Sequence, residues 1–101
     1  MDNISICSFN CQGLGDIKKR KDVLDHLRKK QFSILCLQDT HFTKQIENRI
    51  RNEWGYNVYF SSFTSQSRGV AIFINNTFEY ILHNSFNDAY GNYIILDIKL
   101  D

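Results

Sequence analysis

Two apolar runs, each followed by a segment with a helical pattern, constrain the fold of this chain most strongly. The runs are residues 3–9 (NISICSF) and 33–38 (SILCLQ), and both are apolar on two faces, as buried strands are. Helical patterns follow at residues 16–30 and 43–54. Two successive strand–helix units predict a sheet with helices packed against it.

The first predicted helix is amphipathic and strongly basic. Asp16 is its expected N-cap, and an apolar stripe is expected at Ile17, Val23, Leu24 and Leu27. The remaining positions are mostly basic, and their side chains either form a solvated face or contact phosphate groups. The basic residues are Lys18, Lys19, Arg20, Lys21, Arg28, Lys29 and Lys30.

The second helix and the later strands also have boundary signals. Thr43 is the expected cap of the helix, Gly55 is its expected stop, and Ile46, Ile50 and Trp54 recur on one face. Further strands are predicted at residues 57–60, 69–74, 78–82 and 93–100, with loops at 61–68 and 84–92 and a turn at 75–76. The order βαβα followed by strands predicts an α/β (α+β) fold in a single domain, residues 1–101.

Composition excludes several classes of function. The net charge is +1, so no global field would steer the chain to DNA or to a membrane, and any nucleic-acid contact has to be local. No signal peptide and no apolar stretch of membrane-spanning length is apparent. The three cysteines lack metal-ligand spacing and favour reduced thiols, which predicts a nuclear or cytoplasmic location.

Polar side chains stand where the first two strands are expected to end. Asn10 follows the first strand and Asp39 follows the second, and the carboxyl ends of neighbouring strands gather ligands in open α/β sheets. An amide and a carboxylate would form an oxygen site suited to Mg²⁺. The alternatives are a turn-forming Asn10, a helix-capping Asp39, and a His41 that makes one backbone hydrogen bond rather than lining a cleft.

Three stretches, ISICSFNCQGLG, ILCLQDTHF and RGVAIFI, occur in this order and at intervals that resemble the endonuclease/exonuclease/phosphatase family. The likeness is greatest to the endonuclease domain of LINE-type non-LTR retrotransposons. There the first strand ends in N-x-x-G, the second in Q-E-T, commonly followed by His, and a later strand reads G-V-A-I. Together these motifs are fairly specific, and they span most of the chain, from Ile4 to about Leu100.

The resemblance implies catalytic and metal-site roles for Asn10 and Asp39, with Gln38, Thr40 and His41 beside them as carboxylate-orienting or phosphate-contacting residues. The implied cofactor is Mg²⁺, or Mn²⁺ in its place. Asp39 stands where the family has glutamate, and its side chain is one methylene shorter, roughly 1.5 Å of reach. A displacement of about 1 Å can cost about a hundredfold in rate, so this departure bears directly on activity.

The family's later Y-A-P, D-x-N and S-D-H motifs do not occur in this sequence. The resemblance therefore implies the N-terminal part of a four-layer α/β sandwich, with a mixed sheet, helices on one face, and a second sheet that these residues do not encode. A sheet with one face bare would expose an apolar patch. We therefore expect marginal stability, association with the missing half of the domain, or self-association.

The expected function is that of an N-terminal fragment of a Mg²⁺-dependent DNA endonuclease, inactive by itself because the family's general-base histidine is absent. DNA is the expected partner of the full domain, although phosphoinositide and sphingolipid phosphodiesterases share the fold. The alternative is a non-catalytic relic that binds nucleic acid or assembles through the basic helix, with a steep dependence of affinity on salt.

Overall fold

The computed structural model describes residues 3–100, which form six strands and two α-helices in the expected order. A 3₁₀ turn, Lys44–Ile46, precedes the second helix. The elements are β1 Ile6–Asn10, α1 Ile17–Lys29, β2 Ile34–Gln38, α2 Glu47–Trp54, β3 Val58–Ser61, β4 Val70–Ile74, β5 Ile81–Asn87 and β6 Ile94–Lys99.

The strands form two sheets. The larger has the order β1-β2-β4-β3, with β1 parallel to β2 and the other pairs antiparallel, so the predicted mixed sheet is confirmed. The smaller is an antiparallel pair of β5 and β6. The expectation that a second sheet is not encoded is therefore wrong, because residues 81–99 already supply two strands of a separate sheet.

Both helices cover the same face of the larger sheet. Strand register aligns alternate residues of the four strands in two rows on that face. Apolar side chains from these rows and from the two helices form one buried core, as expected for a helix-covered sheet. The core includes Leu35, Leu37, Phe60, Ala71 and Phe73 from the strands and Leu24, Leu27, Ile50 and Trp54 from the helices.

The opposite face of the larger sheet is partly covered by the β5–β6 hairpin. Ser61 Oγ donates hydrogen bonds to Asp88 O and Oδ1 at 2.9 and 2.6 Å, and Asn87 Nδ2 donates one to Phe60 O at 3.0 Å. A cleft of ≈ 260 Å³ remains between the sheet and β6, lined by Val70, Ile72, Tyr93 and their neighbours. Large apolar side chains stay exposed on β1 and on the hairpin, among them Ile6, Ile81, Phe86 and Ile95.

Helix α1 begins as predicted but buries a different set of residues. Asp16 caps it by accepting a hydrogen bond from Lys19 N at 2.8 Å. Leu24 and Leu27 are buried, whereas Ile17 is 57% exposed, so its place in the apolar stripe was predicted wrongly. Arg20, expected on the solvated face, is 1% exposed. Hydrogen bonds to carboxylate and carbonyl oxygens compensate for the burial of its charge.

Helix α2 ends as predicted and begins later than predicted. Thr43 precedes the 3₁₀ turn, but its side chain makes no capping hydrogen bond, and the α-helix begins at Glu47. Gly55 takes the left-handed conformation at the C-cap with φ 84°. Trp54 is buried at the last position and donates a hydrogen bond from Nε1 to Ile74 O at 2.8 Å, which ties the helix to β4.

Strand β5 lies later in the chain than its sequence predicts. The strand expected at residues 78–82 and the loop expected at 84–92 are both partly wrong, because β5 spans Ile81–Asn87. Phe78 and Tyr80 stack on each other, and Tyr80 Oη makes hydrogen bonds with Asn57, just before β3, and with Tyr59 in β3. These contacts hold residues 78–80 against the larger sheet, so pairing with β6 begins only at Ile81.

None of the helices within residues 3–100 combines the length and the apolarity that a membrane crossing requires.

Candidate functional site

The candidate site lies where β1 and β2 end side by side. The two strands are parallel, and Asn10 is in register with Gln38, so Asn10 and Asp39 lie at adjacent strand ends. Hydrogen bonds continue beyond the strands: Gly13 N donates to Asp39 O at 2.7 Å, and Leu14 N donates to Thr40 O at 2.8 Å. The loops after β1 and β2 are therefore held together through their backbones.

Asp39 and His41 form a hydrogen-bonded pair. His41 Nε2 donates to Asp39 Oδ1 at 2.7 Å, and the two side chains are 22% and 40% exposed respectively. Both residues have positive φ, 58° at His41 and 53° at Asp39, a conformation that is uncommon outside glycine. The imidazole thus fixes one carboxylate oxygen, and among residues 3–100 Oδ2 makes no hydrogen bond.

Gly13 provides the space that this pair needs. A Cβ atom at position 13 would lie 2.7 Å from His41 Nδ1, and the φ of Gly13 is 90°. Any side chain here would therefore displace the imidazole and also strain the backbone. The N-x-x-G spacing in the sequence was the signal for this role, but only the structure relates Gly13 to His41.

Asn10 is exposed, and its side chain contacts its own loop. Its Oδ1 atom accepts a hydrogen bond from Gln12 N at 3.3 Å, which is the turn-forming contact that the sequence left open. An amide oxygen has two lone pairs, so one remains for a ligand. No hydrogen bond joins Asn10 to Asp39 within the described part of the chain.

The side chains of Gln38 and Thr40, on either side of Asp39, make hydrogen bonds to groups other than the Asp39 carboxylate. Gln38 Nε2 donates to Ser8 Oγ at 3.0 Å and to Cys36 O at 2.9 Å. Thr40 is fully buried, and its Oγ1 accepts a hydrogen bond from Phe42 N at 3.2 Å. These contacts secure β2 and the following loop, while His41 is the side chain that contacts the carboxylate.

Lys19 closes the loop after β1, a role that sequence reasoning missed. Its Nζ atom donates to Cys11 O and Gln12 O, both at 3.2 Å. Cys11 is buried in this loop, and desolvation raises the pKa of its thiol to about 12 despite the opposing charge of Lys19. The thiol is therefore protonated at neutral pH and is not a nucleophile.

The oxygen atoms at this edge fit a weakly ligated divalent cation. Among residues 3–100, no three His, Cys, Asp or Glu side chains come together as a metal site. These side chains therefore do not form a complete coordination shell at this edge. Mg²⁺ commonly binds through one or two carboxylates and completes its shell with water and phosphate oxygens. The free oxygen of Asp39 and the amide oxygen of Asn10 meet that partial requirement.

Most basic residues of α1 already have partners. Lys18 and Lys21 pair with Asp22 and Asp25 one turn later, at 3.1 and 3.4 Å. Arg28 lies over the Trp54 ring with its guanidinium carbon 4.5 Å from the ring centre. With Arg20 buried and Lys19 bound to the loop, the helix presents less free positive charge than its sequence indicates. Nucleic-acid binding by this helix stays a prediction.

A cleft elsewhere in the molecule contains none of the predicted site residues. It measures ≈ 340 Å³ and lies between α2, the edge strand β3 and the β5–β6 hairpin. Glu47 on its wall accepts a hydrogen bond from Ser62 Oγ at 2.7 Å, and Arg51 lies over the Phe60 ring at 4.9 Å. Glu47 and Arg51 are thus already engaged by neighbouring groups.

The chain is similar in sequence to one known protein family and to a transposon protein. The sequence model of the Endonuclease/Exonuclease/phosphatase family matches residues 7–100. Over 76 residues the chain is 32% identical to the Transposon TX1 uncharacterized 149 kDa protein of Xenopus laevis, a match that covers 75% of this chain and 6% of that protein. The chain thus spans a small part of that relative's length. Because the family match extends over nearly all of the described residues, the chain belongs to the endonuclease/exonuclease/phosphatase family.

Proposed function

We propose that this chain forms the metal-binding edge of a transposon-type nuclease domain that hydrolyses DNA phosphodiester bonds with Mg²⁺ or Mn²⁺. One observation carries the proposal: the Asp39 carboxylate is fixed by His41 at the end of β2, beside Asn10 at the end of the parallel strand β1. Family membership and the similarity to a transposon protein support the nuclease class.

Each residue at this edge has a proposed role. Asp39 and Asn10 would hold the cation through oxygen atoms, and His41 would keep the carboxylate in one orientation, as hydrogen-bonded neighbours of metal ligands do. When bound, the cation supplies Lewis-acid stabilisation of the negative charge that develops on phosphate oxygens. Gly13 supports the site indirectly by keeping the Asn10 loop against the Asp39 loop, and Lys19 ties the Asn10 loop to α1.

Turnover by this chain alone is not expected. Hydrolysis needs a group that activates water, and the S-D-H motif that carries the family's general-base histidine does not occur in this sequence. Catalysis would therefore draw on residues outside those described. Mg²⁺-dependent nicking of a supercoiled plasmid by this chain, abolished by Asp39→Ala, would contradict the expected inactivity.

Metal binding tests the proposed site directly. Mn²⁺ titration followed by electron paramagnetic resonance measures affinity without requiring activity. Asp39→Asn preserves shape and removes the charge, and we expect it to weaken Mn²⁺ binding at least about tenfold, the lower range for altered metal-site groups. Asp97→Asn, at an exposed position on β6, is the matched control and should bind like the unaltered chain. Equal affinities for Asp39→Asn and the unaltered chain would overturn the proposed site.

A further inference from the structure

Three side chains from two loops form a cationic and aromatic surface beside the Asp39 loop. The Arg68 guanidinium carbon lies 4.8 Å from the centre of the Phe63 ring. The Phe63 and Tyr90 rings meet edge to face, with their centres 6.4 Å apart. Tyr90 is 61% exposed, so one aromatic ring of this surface faces solvent. We refer to Phe63, Arg68 and Tyr90 together as the Arg68 platform.

Backbone hydrogen bonds fix the platform relative to the Asp39 loop. His41 N donates to Arg68 O at 2.8 Å, and Gly69 N donates to Gly91 O at 3.1 Å. The two platform loops are in close contact, because a Cβ atom on Gly91 would lie 2.6 Å from Gly69 N. The segment carrying Tyr90 is thus connected through Gly69 to the segment carrying His41. The platform and the candidate metal site share one edge of the larger sheet.

The cation and the exposed ring of the platform are both available to a ligand. Within residues 3–100, the Arg68 guanidinium makes no hydrogen bond or ion pair, and it lies over the Phe63 ring. The carboxylate of Asp88, two residues before Tyr90, is engaged by Ser61 and Asn92. A guanidinium binds phosphate through paired hydrogen bonds, and an exposed aromatic ring stacks on a nucleobase regardless of its sequence.

We infer that the Arg68 platform binds an unpaired nucleotide of a nucleic-acid strand, with a phosphate on Arg68 and a base stacked on Tyr90. A nucleotide carries both groups that this surface can bind, an anion and an aromatic ring. An acidic peptide supplies the anion without a flat ring beside it. The inference rests on the proposed function for its substrate class, and it adds a binding surface separate from the Asp39 edge.

Binding of short fluorescein-labelled oligonucleotides, followed by anisotropy in the presence of EDTA, tests the inference without any metal. Arg68→Ala should weaken binding of a single strand about tenfold, as expected for loss of a charge-assisted contact, and should reduce the salt slope by about one. Tyr90→Ala should weaken it about 5- to 20-fold through lost stacking. Arg49→Ala and Tyr56→Ala, exposed positions on α2 and just after it, are matched controls that should leave affinity unchanged.

An abasic strand of the same length separates stacking from charge. Its binding should remain sensitive to Arg68→Ala and become insensitive to Tyr90→Ala. Arg68→Gln, which keeps the aliphatic stem on Phe63, replaces Arg68→Ala if that variant loses stability in urea unfolding.

Several outcomes would overturn the inference. They are absence of binding by the unaltered chain, equal losses in the Arg49 and Tyr56 controls, and a Tyr90→Ala effect that persists on the abasic strand. Competition by polyglutamate as effective as that of the oligonucleotide would instead indicate an acidic protein partner. Because EDTA removes metal from the assay, these outcomes leave the Mn²⁺ test of Asp39 unaffected, and a failure of Mn²⁺ binding likewise leaves this test intact.

Discussion

Arg20 of α1 and Glu53 of α2 join the two helices through a bidentate ion pair. Arg20 Nε and Nη2 donate to Glu53 Oε1 and Oε2 at 2.8 and 2.9 Å, and Arg20 Nη1 donates to Leu14 O at 2.9 Å. The arginine side chain is 1% exposed, whereas the glutamate is 33% exposed. The pair therefore anchors a buried cation beside the loop that leads from β1 into α1.

Removing the carboxylate of this pair should destabilise the protein. Glu53→Gln leaves the Arg20 guanidinium buried without its counter-ion, so we expect the free energy of unfolding to fall by about 2–3 kcal/mol. Urea unfolding measures the change. Asp22→Asn breaks the exposed pair with Lys18 and should lower it by less than about 0.5 kcal/mol. Similar losses in the two variants would show that the buried Arg20–Glu53 pair contributes no more to stability than the exposed Lys18–Asp22 pair.

Asp88 should make the contact between the hairpin and the larger sheet sensitive to acid. Desolvation raises the pKa of this carboxyl, but hydrogen bonds from Ser61, Asn92 and Tyr93 outweigh it and lower the pKa from 3.8 to about 2. A carboxyl group whose pKa is lower in the folded state contributes its full stabilisation above its unfolded-state pKa. It loses that contribution as the pH falls through its folded-state pKa. Stability from this group should therefore decline between pH 3.8 and about 2.

Thermal unfolding as a function of pH measures this effect. Asp88→Asn should lower Tm at neutral pH, and its difference from the unaltered chain should shrink as pH falls through the same interval. Asp97→Asn serves as a control on the same hairpin and should follow the unaltered chain at every pH. A constant difference between Asp88→Asn and the unaltered chain across this interval would contradict the assigned hydrogen bonds.

His41 should influence metal affinity through its contact with Asp39. His41→Ala removes the hydrogen bond that orients the Asp39 carboxylate, and we expect about a tenfold loss of Mn²⁺ affinity. His41→Gln should retain part of the affinity, because its side-chain amide can donate a hydrogen bond to the carboxylate. His26→Ala on α1 is the matched histidine control. Electron paramagnetic resonance of Mn²⁺ provides the affinities. Unchanged binding in His41→Ala would show that the pair is a structural contact only.

The two glycines of the loop after β1 should respond differently to the same substitution. Gly13→Ala forces a Cβ atom to within 2.7 Å of His41 Nδ1 at φ 90°, and we expect a loss of about 2 kcal/mol or more in the free energy of unfolding. Gly15 has nothing within 4 Å of its Cβ position, so Gly15→Ala should be close to neutral. Urea unfolding compares them, and nuclear magnetic resonance of the His41 ring detects its displacement in Gly13→Ala alone.

Elements whose signals are local could be predicted from the sequence alone. Asp16 capped α1 and Gly55 ended α2 as predicted, because a capping carboxylate and a left-handed glycine act within one turn of their helix. Alternating apolar residues located β6, and the apolar runs located β1 and β2 to within a few residues. The adjacency of Asn10 and Asp39 followed from the pairing of two parallel strands with polar ends.

Features that depend on partners far away in the sequence could not be predicted and became apparent only in the folded chain. Arg20 is buried because Glu53, 33 residues later, neutralises it, and no pattern within α1 signals that contact. Strand β5 begins at Ile81 because Tyr80 is held by Asn57 and Tyr59, and because pairing with β6 sets the register. The Asp39–His41 contact likewise needs the space left by Gly13 on the neighbouring loop, since side-chain packing across loops is a property of the folded chain.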